Sequence, residues 1–154
     1  MPTAIESLLS RVSKPARYTG GEWNSVTKRW DSVAVHFALA YPDNYDIGMS
    51  NMGLGILYDI LNREEDVACE RTFAPWEDME AEMRAEGIGL WSLETRHPVR
   101  DFDVLGFTLQ YEMTYTNVLN MLGLAGIPVW ARDRREGDPI VICGGSGSFN
   151  PEPL

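Results

Sequence analysis

The chain carries few cysteines, few basic residues and no long apolar run, and each shortage removes a class of function. Only two of its 154 residues are cysteine, Cys69 and Cys143, and they form no close-spaced pair. A disulfide scaffold needs dense cysteines and a thiolate metal site needs spacings such as Cys-x2-Cys, so two buried thiols in strands are expected instead. Lys and Arg total 13 against 23 Asp and Glu, a net charge of −10. A nucleic-acid or anionic-membrane surface requires a basic patch, which this balance does not supply, and the acidity reads as solubility. No stretch of 18 apolar residues exists and residues 1–14 lack the apolar core of a signal peptide, so a cytoplasmic protein is expected. His36 and His97 have no companion at ligand spacing and read as structural or solvated.

A phosphate-binding loop is also missing. The segment Tyr41-Pro-Asp-Asn-Tyr-Asp-Ile-Gly-Met-Ser-Asn-Met-Gly-Leu-Gly55 follows an apolar strand pattern and opens into a helical one, the position where an open α/β sheet places its ligand crevice. A phosphate would require a glycine fingerprint or a terminal Gly-Lys-Ser/Thr. Here Asp43 and Asp46 would repel the anion, and no Lys or Arg occurs between Arg29 and Arg63. The loop suits a ligand other than a nucleotide phosphate.

With 44% apolar residues the chain can bury one sizeable core, which we divide into an N-terminal helix and wrap, residues 1–31, and an α/β domain, residues 32–154. Apolar positions 5, 8, 9 and 12 predict a short amphipathic helix ended by Lys14-Pro15, and residues 15–31 read as an extended wrap whose aromatics need a surface. Strands are predicted at 33–39, 67–73, 104–109 and 140–143, with shorter ones at 90–93 and 127–130. Helices are predicted at 53–62 with Leu54, Leu57, Tyr58 and Leu61 on one face, from Pro75 to Glu86 with a stop at Gly87, and at 111–124 with closure by Gly123 or Gly126. Glu80 is spaced to pair with Arg84, and Met113 and Met121 read as core filler. Strands alternating with helices imply right-handed parallel βαβ units, so the expected fold is a doubly wound, mainly parallel α/β sheet in the order 2-1-3-4, by analogy with the flavodoxin-like class. The chain ends in what reads as a loop after the fourth strand, and we expect a domain truncated at its C-terminus.

A set of spaced motifs carries a resemblance. Pro15-Ala-Arg-Tyr-Thr-Gly-Gly-Glu-Trp-Asn24, Gly48-Met-Ser-Asn-Met-Gly53, Gly106-Phe-Thr-Leu-Gln-Tyr-Glu112, Tyr115-Thr-Asn117, Gly144-Gly145 and Asn150-Pro-Glu-Pro153 occur in this order and span nearly the whole chain. Together they resemble the N-terminal portion of an uncharacterised radical SAM protein family. The resemblance implies a cobalamin-binding-like Rossmann domain preceding a radical SAM barrel in the same parent chain. It implies a parent using a 4Fe-4S iron–sulfur cluster on Cys-x3-Cys-x2-Cys to cleave S-adenosyl-L-methionine reductively. No such cysteine triplet is present here, so no cofactor or metal is expected within this chain, and no catalytic residue.

The cobalamin analogy can be read on the residues. Domains that bind this cofactor through the protein use Asp-x-His-x-x-Gly after the first strand, and Asp43-Asn-Tyr45-Asp-Ile-Gly48 has that spacing with Tyr45 in the histidine position. A neutral phenol is a poor cobalt ligand, so cobalamin binding, if present, would lack an axial ligand from this loop. The other reading is a simple turn in which Gly48 supplies a conformation that other residues disfavour. The candidate cofactor-binding residues are Asp43, Tyr45, Gly48, Ser50, Asn51, Gln110, Tyr111, Glu112, Asn117, Gly144, Gly145 and Ser146, with Gly147 and Ser148, expected along one crevice. Three functions follow as expectations: an accessory domain shaping substrate or cofactor approach to a radical SAM barrel, a stand-alone module for cobalamin or another planar cofactor, or a docking domain using Trp23, Trp76 and Trp130 for protein contacts.

Overall fold

The computed structural model describes residues 4–150. Four strands, β1 (Val35–Tyr41), β2 (Val67–Phe73), β3 (Val104–Thr108) and β4 (Ile140–Gly144), form one all-parallel sheet in the order β2-β1-β3-β4. The expected doubly wound α/β fold and its strand order are therefore observed. Parallel strands need crossovers, and these are α3 (Met52–Arg63) between β1 and β2, α4 (Glu77–Glu86) between β2 and β3, and α5 (Tyr115–Ala125) between β3 and β4. Two further helices are short: α1 (Ala4–Leu9) and α2 (Tyr45–Gly48).

Strand direction and crossover hand sort the helices onto two faces. Ala38, Ala40, Leu105 and Phe107 face α4 and α5, whose Met79, Met83, Val118, Met121 and Leu122 complete the main core. The methionines at 79, 83 and 121 are core filler, whereas Met113 is exposed. Alternation puts Leu39, Tyr41, Cys69 and Phe73 on the opposite face, against Leu54 and Tyr58 of α3. Of the four residues predicted for the buried face of α3, Leu57 is instead exposed. Gly87 and Gly126 close α4 and α5 in the left-handed conformation, at φ 66° and 69°, and Glu80 pairs with Arg84 at 2.9 Å.

Several expectations are corrected. Residues 90–93 form no strand: Trp91 makes one isolated antiparallel bridge to Pro98, and the backbone there bonds to the end of α5, to its own turn and, through Leu93 N–H to Arg71 O at 2.7 Å, to β2. Residues 127–130 form no strand either, because Ile127 N–H donates back to Leu122 O to finish α5. Cys69 is buried but Cys143 is exposed, since it lies on the edge strand β4. The wrap contains two 3-10 turns, Pro15–Tyr18 and Trp30–Ser32, and its aromatics diverge. Trp30 stacks between His36 and His97, with ring centroids at 3.8 and 3.9 Å, while Trp23 is fully exposed.

The wrap is held by polar contacts that reach the main domain. Arg17, itself buried, pairs with Asp46 and lies 5.0 Å over Trp76. Asp78 accepts from both the backbone N–H (2.8 Å) and the hydroxyl (2.7 Å) of Ser13. Leu8 of α1 is fully buried in the main core. The described part of this segment, residues 4–31, thus packs against the sheet domain.

Candidate functional site

All four strands deliver their carboxyl ends to one edge, where the loops after β1, β3 and β4 meet. The last two are laced together. Leu109 N–H donates to Gly144 O at 2.6 Å, Gly147 N–H donates to Leu109 O at 3.1 Å, and the Ser146 hydroxyl donates to Gln110 O at 2.5 Å. The Tyr115 hydroxyl reaches Gly147 O and Asn150 O, and Ser148 Oγ donates to Gly145 O. Gly145 is required here for two reasons: its φ is 105°, and a Cβ would stand 2.2 Å from Leu109 O.

The loop after β1 spends most of its polar groups on its own geometry. Asp43 Oδ1 accepts from Asn44 N–H, Asn44 Oδ1 caps α2, and Asn51 Oδ1 caps α3 by accepting from Leu54 N–H at 2.9 Å. The exposed Ser50 hydroxyl donates to Ile47 O. Tyr45 turns away from the β3 and β4 loops: its ring meets Phe73 edge-on and its hydroxyl donates to Glu22 Oε1 at 3.0 Å. Burial and the Glu22 carboxylate push this phenol up to about 12. Gly48 has no left-handed backbone; it is glycine because a Cβ would stand 2.4 Å from the Phe73 ring.

Five of the predicted residues line two separate depressions. Gln110, Gly144 and Gly145 line a groove of about 560 Å³ that continues along the sheet beside α3 over Phe37, Leu39, Ile56, Leu57, Ile60 and Ile142. That volume is within the range of small-molecule sites, but the walls are overwhelmingly apolar, unlike the polar surface expected from the loop sequences. Asp43 and Asn117 line a smaller hollow of about 190 Å³ with Asn44, Trp76, Glu77 and Glu80. Asn117 Nδ2 donates to Pro42 O at 2.9 Å. Tyr41 lies between the loops; burial, with Asp43 and Tyr111 adding, pushes its phenol up against a hydrogen bond with Asn51. Tyr111 is exposed on the rim, and Glu112 receives a long 3.5 Å contact from Asn150 Nδ2.

Sequence reasoning missed the groove walls and a buried charge cluster. Arg71, 3% exposed, donates Nε–H to Glu94 Oε1 at 2.6 Å and its backbone N–H to Glu94 Oε2 at 2.7 Å, while its guanidinium lies 4.2 Å over the Tyr58 ring. Burial pushes the Glu94 carboxyl above its usual range, against the pull of Arg71. On the other face, the Thr95 hydroxyl bonds Glu70 and the His97 ring. Charged residues inside an otherwise apolar strand, Glu70-Arg71 in β2, were the available signal.

The two thiols do not assemble the iron–sulfur site that the resemblance implies for the parent. Cys69 sits beside Phe37 and Cys143 beside Phe107, on opposite faces of the sheet with two strands between β2 and β4, so the thiols cannot share an iron–sulfur cluster. Among the described residues no group of three His, Cys, Asp or Glu is placed to hold a metal ion. Tyr45, bonded to Glu22, does not present its oxygen to a cobalt ion at the rim. No helix among the described residues is long and apolar enough to cross a membrane.

No curated protein and no solved structure matches the chain. A family model described as radical SAM proteins, N-terminal, matches residues 53–154, from the start of α3 through the loops after β3 and β4. The chain belongs to this family, the N-terminal domain of radical SAM proteins.

Proposed function

We propose that this domain is the accessory N-terminal part of a radical SAM enzyme, shaping the approach of substrate or cofactor to a barrel carried by the same parent polypeptide. The observation that carries the reading is the laced rim formed by Gln110, Tyr111 and Gly144–Ser148 at the carboxyl edge of the sheet. Rigid loops at this edge are where an α/β fold presents a binding surface. The chemistry of reductive S-adenosylmethionine cleavage belongs to the barrel and its cluster, and this domain contributes shape and hydrogen-bonding groups.

The test uses the parent polypeptide with its cluster reconstituted anaerobically. Gln110→Ala and Tyr111→Ala should leave iron content unchanged and alter the rate of methionine release from S-adenosylmethionine by about threefold or more, the size of a lost rim hydrogen bond or contact. Unchanged rates in both variants would overturn the accessory role. A second reading, a module that itself holds cobalamin or another planar cofactor, is supported by the volume and position of the groove. It requires a visible absorbance change when hydroxocobalamin is mixed with the protein, and loss of that change in Gln110→Ala.

A further inference from the structure

The groove beside α3, about 560 Å³, is walled almost wholly by apolar side chains. Parallel sheets are buried on both faces. One face here is covered by α4, α5 and α1, and the other by α3 over β1 and β2. By register, Leu39, Gly106 and Ile142 share the α3 face, as do Phe37, Val104 and Ile140. On that face no helix among the described residues covers β3 and β4: Ile140 is 66% and Ile142 47% exposed. The adjoining wall of α3 is equally bare, with Ile56 at 52%, Leu57 at 44% and Ile60 at 51%.

Spacing identifies the shape of the occupant. Strands lie about 4.8 Å apart and packed helices about 8–10 Å apart, so a sheet face accepts one helix for every two strands. With α3 over the β1–β2 half, the next helix position is the uncovered β3–β4 half. Gly106 lacks a Cβ because the Phe37 ring fills that space, its carbons 2.7 Å from where a Cβ would be, so this ring forms part of the groove floor. An occupant helix would meet aliphatic groups on two sides, the sheet below and α3 beside it, and so needs an aliphatic face of its own.

The source follows from the family: the chain belongs to the N-terminal domain of radical SAM proteins, and Gly144 and Gly145, at the end of β4, line the groove, so the polypeptide after β4 runs along its rim, where Asn150 O is tied to the Tyr115 hydroxyl. A second copy, offering the bare α3 residues Ile56, Leu57 and Ile60, is the competing occupant that the measurement below distinguishes. We infer that the groove between α3 and β4 seats an amphipathic helix of the parent polypeptide that follows this domain, fixing the orientation of the rim toward the barrel. The inference rests on the reading above that such a barrel follows.

The experiment is a thiol-protection measurement in the full parent chain, in a Cys143→Ser background. Ile142→Cys, on the groove floor, should react with a maleimide at least about tenfold more slowly than Glu65→Cys, an exposed position in the turn before β2. Ile56→Cys, on the opposite wall, should be protected to the same degree, so a folding defect in one variant does not decide the outcome. Equal rates at the groove and the reference would overturn the inference. Protection that disappears on dilution would overturn it in favour of a second copy. The accessory role is judged separately, by methionine release, so protection can fail while that reading stands.

Discussion

At the residue scale, two positions concentrate the cost of substitution. Gly145 combines a φ of 105° with a Cβ direction blocked by Leu109 O. Gly145→Ala should destabilise the domain by about 2–3 kcal/mol and loosen the rim, seen as a lower Tm and faster amide exchange at Leu109 and Gly147. Wild-type exchange in the variant would show that the glycine is dispensable. Arg71 and Glu94 form a buried pair whose members depend on each other, since the Glu94 side chain is fully buried. Removing one partner strands the other, so Arg71→Met and Glu94→Gln should each cost about 3–5 kcal/mol and the double variant clearly less than their sum. Denaturant unfolding of the three variants checks this, and strict additivity would rule the coupling out.

At the element scale, the N-terminal segment is attached by groups that titrate. The Asp78 carboxyl is held below its usual range chiefly by the Ser13 backbone N–H, with the Ser13 hydroxyl adding. A depressed folded pKa means the carboxylate contributes stability above the unfolded value, about 3.9, and loses it as pH falls through the lower folded value. Amide exchange at Ser13 should therefore accelerate below about pH 4, and Asp78→Asn should remove that dependence while leaving neutral-pH folding intact. A pH profile identical in the variant would place the sensitivity elsewhere. At the start of α3, Asn51→Ala removes the acceptor for Leu54 N–H and should cost about 1 kcal/mol, read from the chemical midpoint. The elements themselves were legible where period and punctuation agreed: β2 at 67–73 and the Gly87 stop were read directly. The short strands at 90–93 and 127–130 were not, because four apolar residues beside a turn look alike whether they join a sheet or finish a helix.

At the scale of the whole molecule, the sequence by itself determined the layer order. Alternation of strand and helix, with right-handed crossovers, leaves few arrangements, and 2-1-3-4 is the one observed. It also determined that the rim loops after β3 and β4 would lie at one edge, because parallel strands all point the same way. Only the tertiary structure decided how those loops divide. Tyr45 was read as a rim residue from its place after β1, but its ring packs on Phe73 and its hydroxyl goes to Glu22, a residue of the wrap distant in sequence. Gly48 was read as a cofactor-binding candidate or a backbone device, yet its cause is the Phe73 ring at the end of β2. The groove could not be read either, since Ile56, Ile60 and Ile142 have the same apolar pattern as core residues. Periodicity records which side chains avoid water, whereas the partner that covers them is set by packing between segments far apart in the chain.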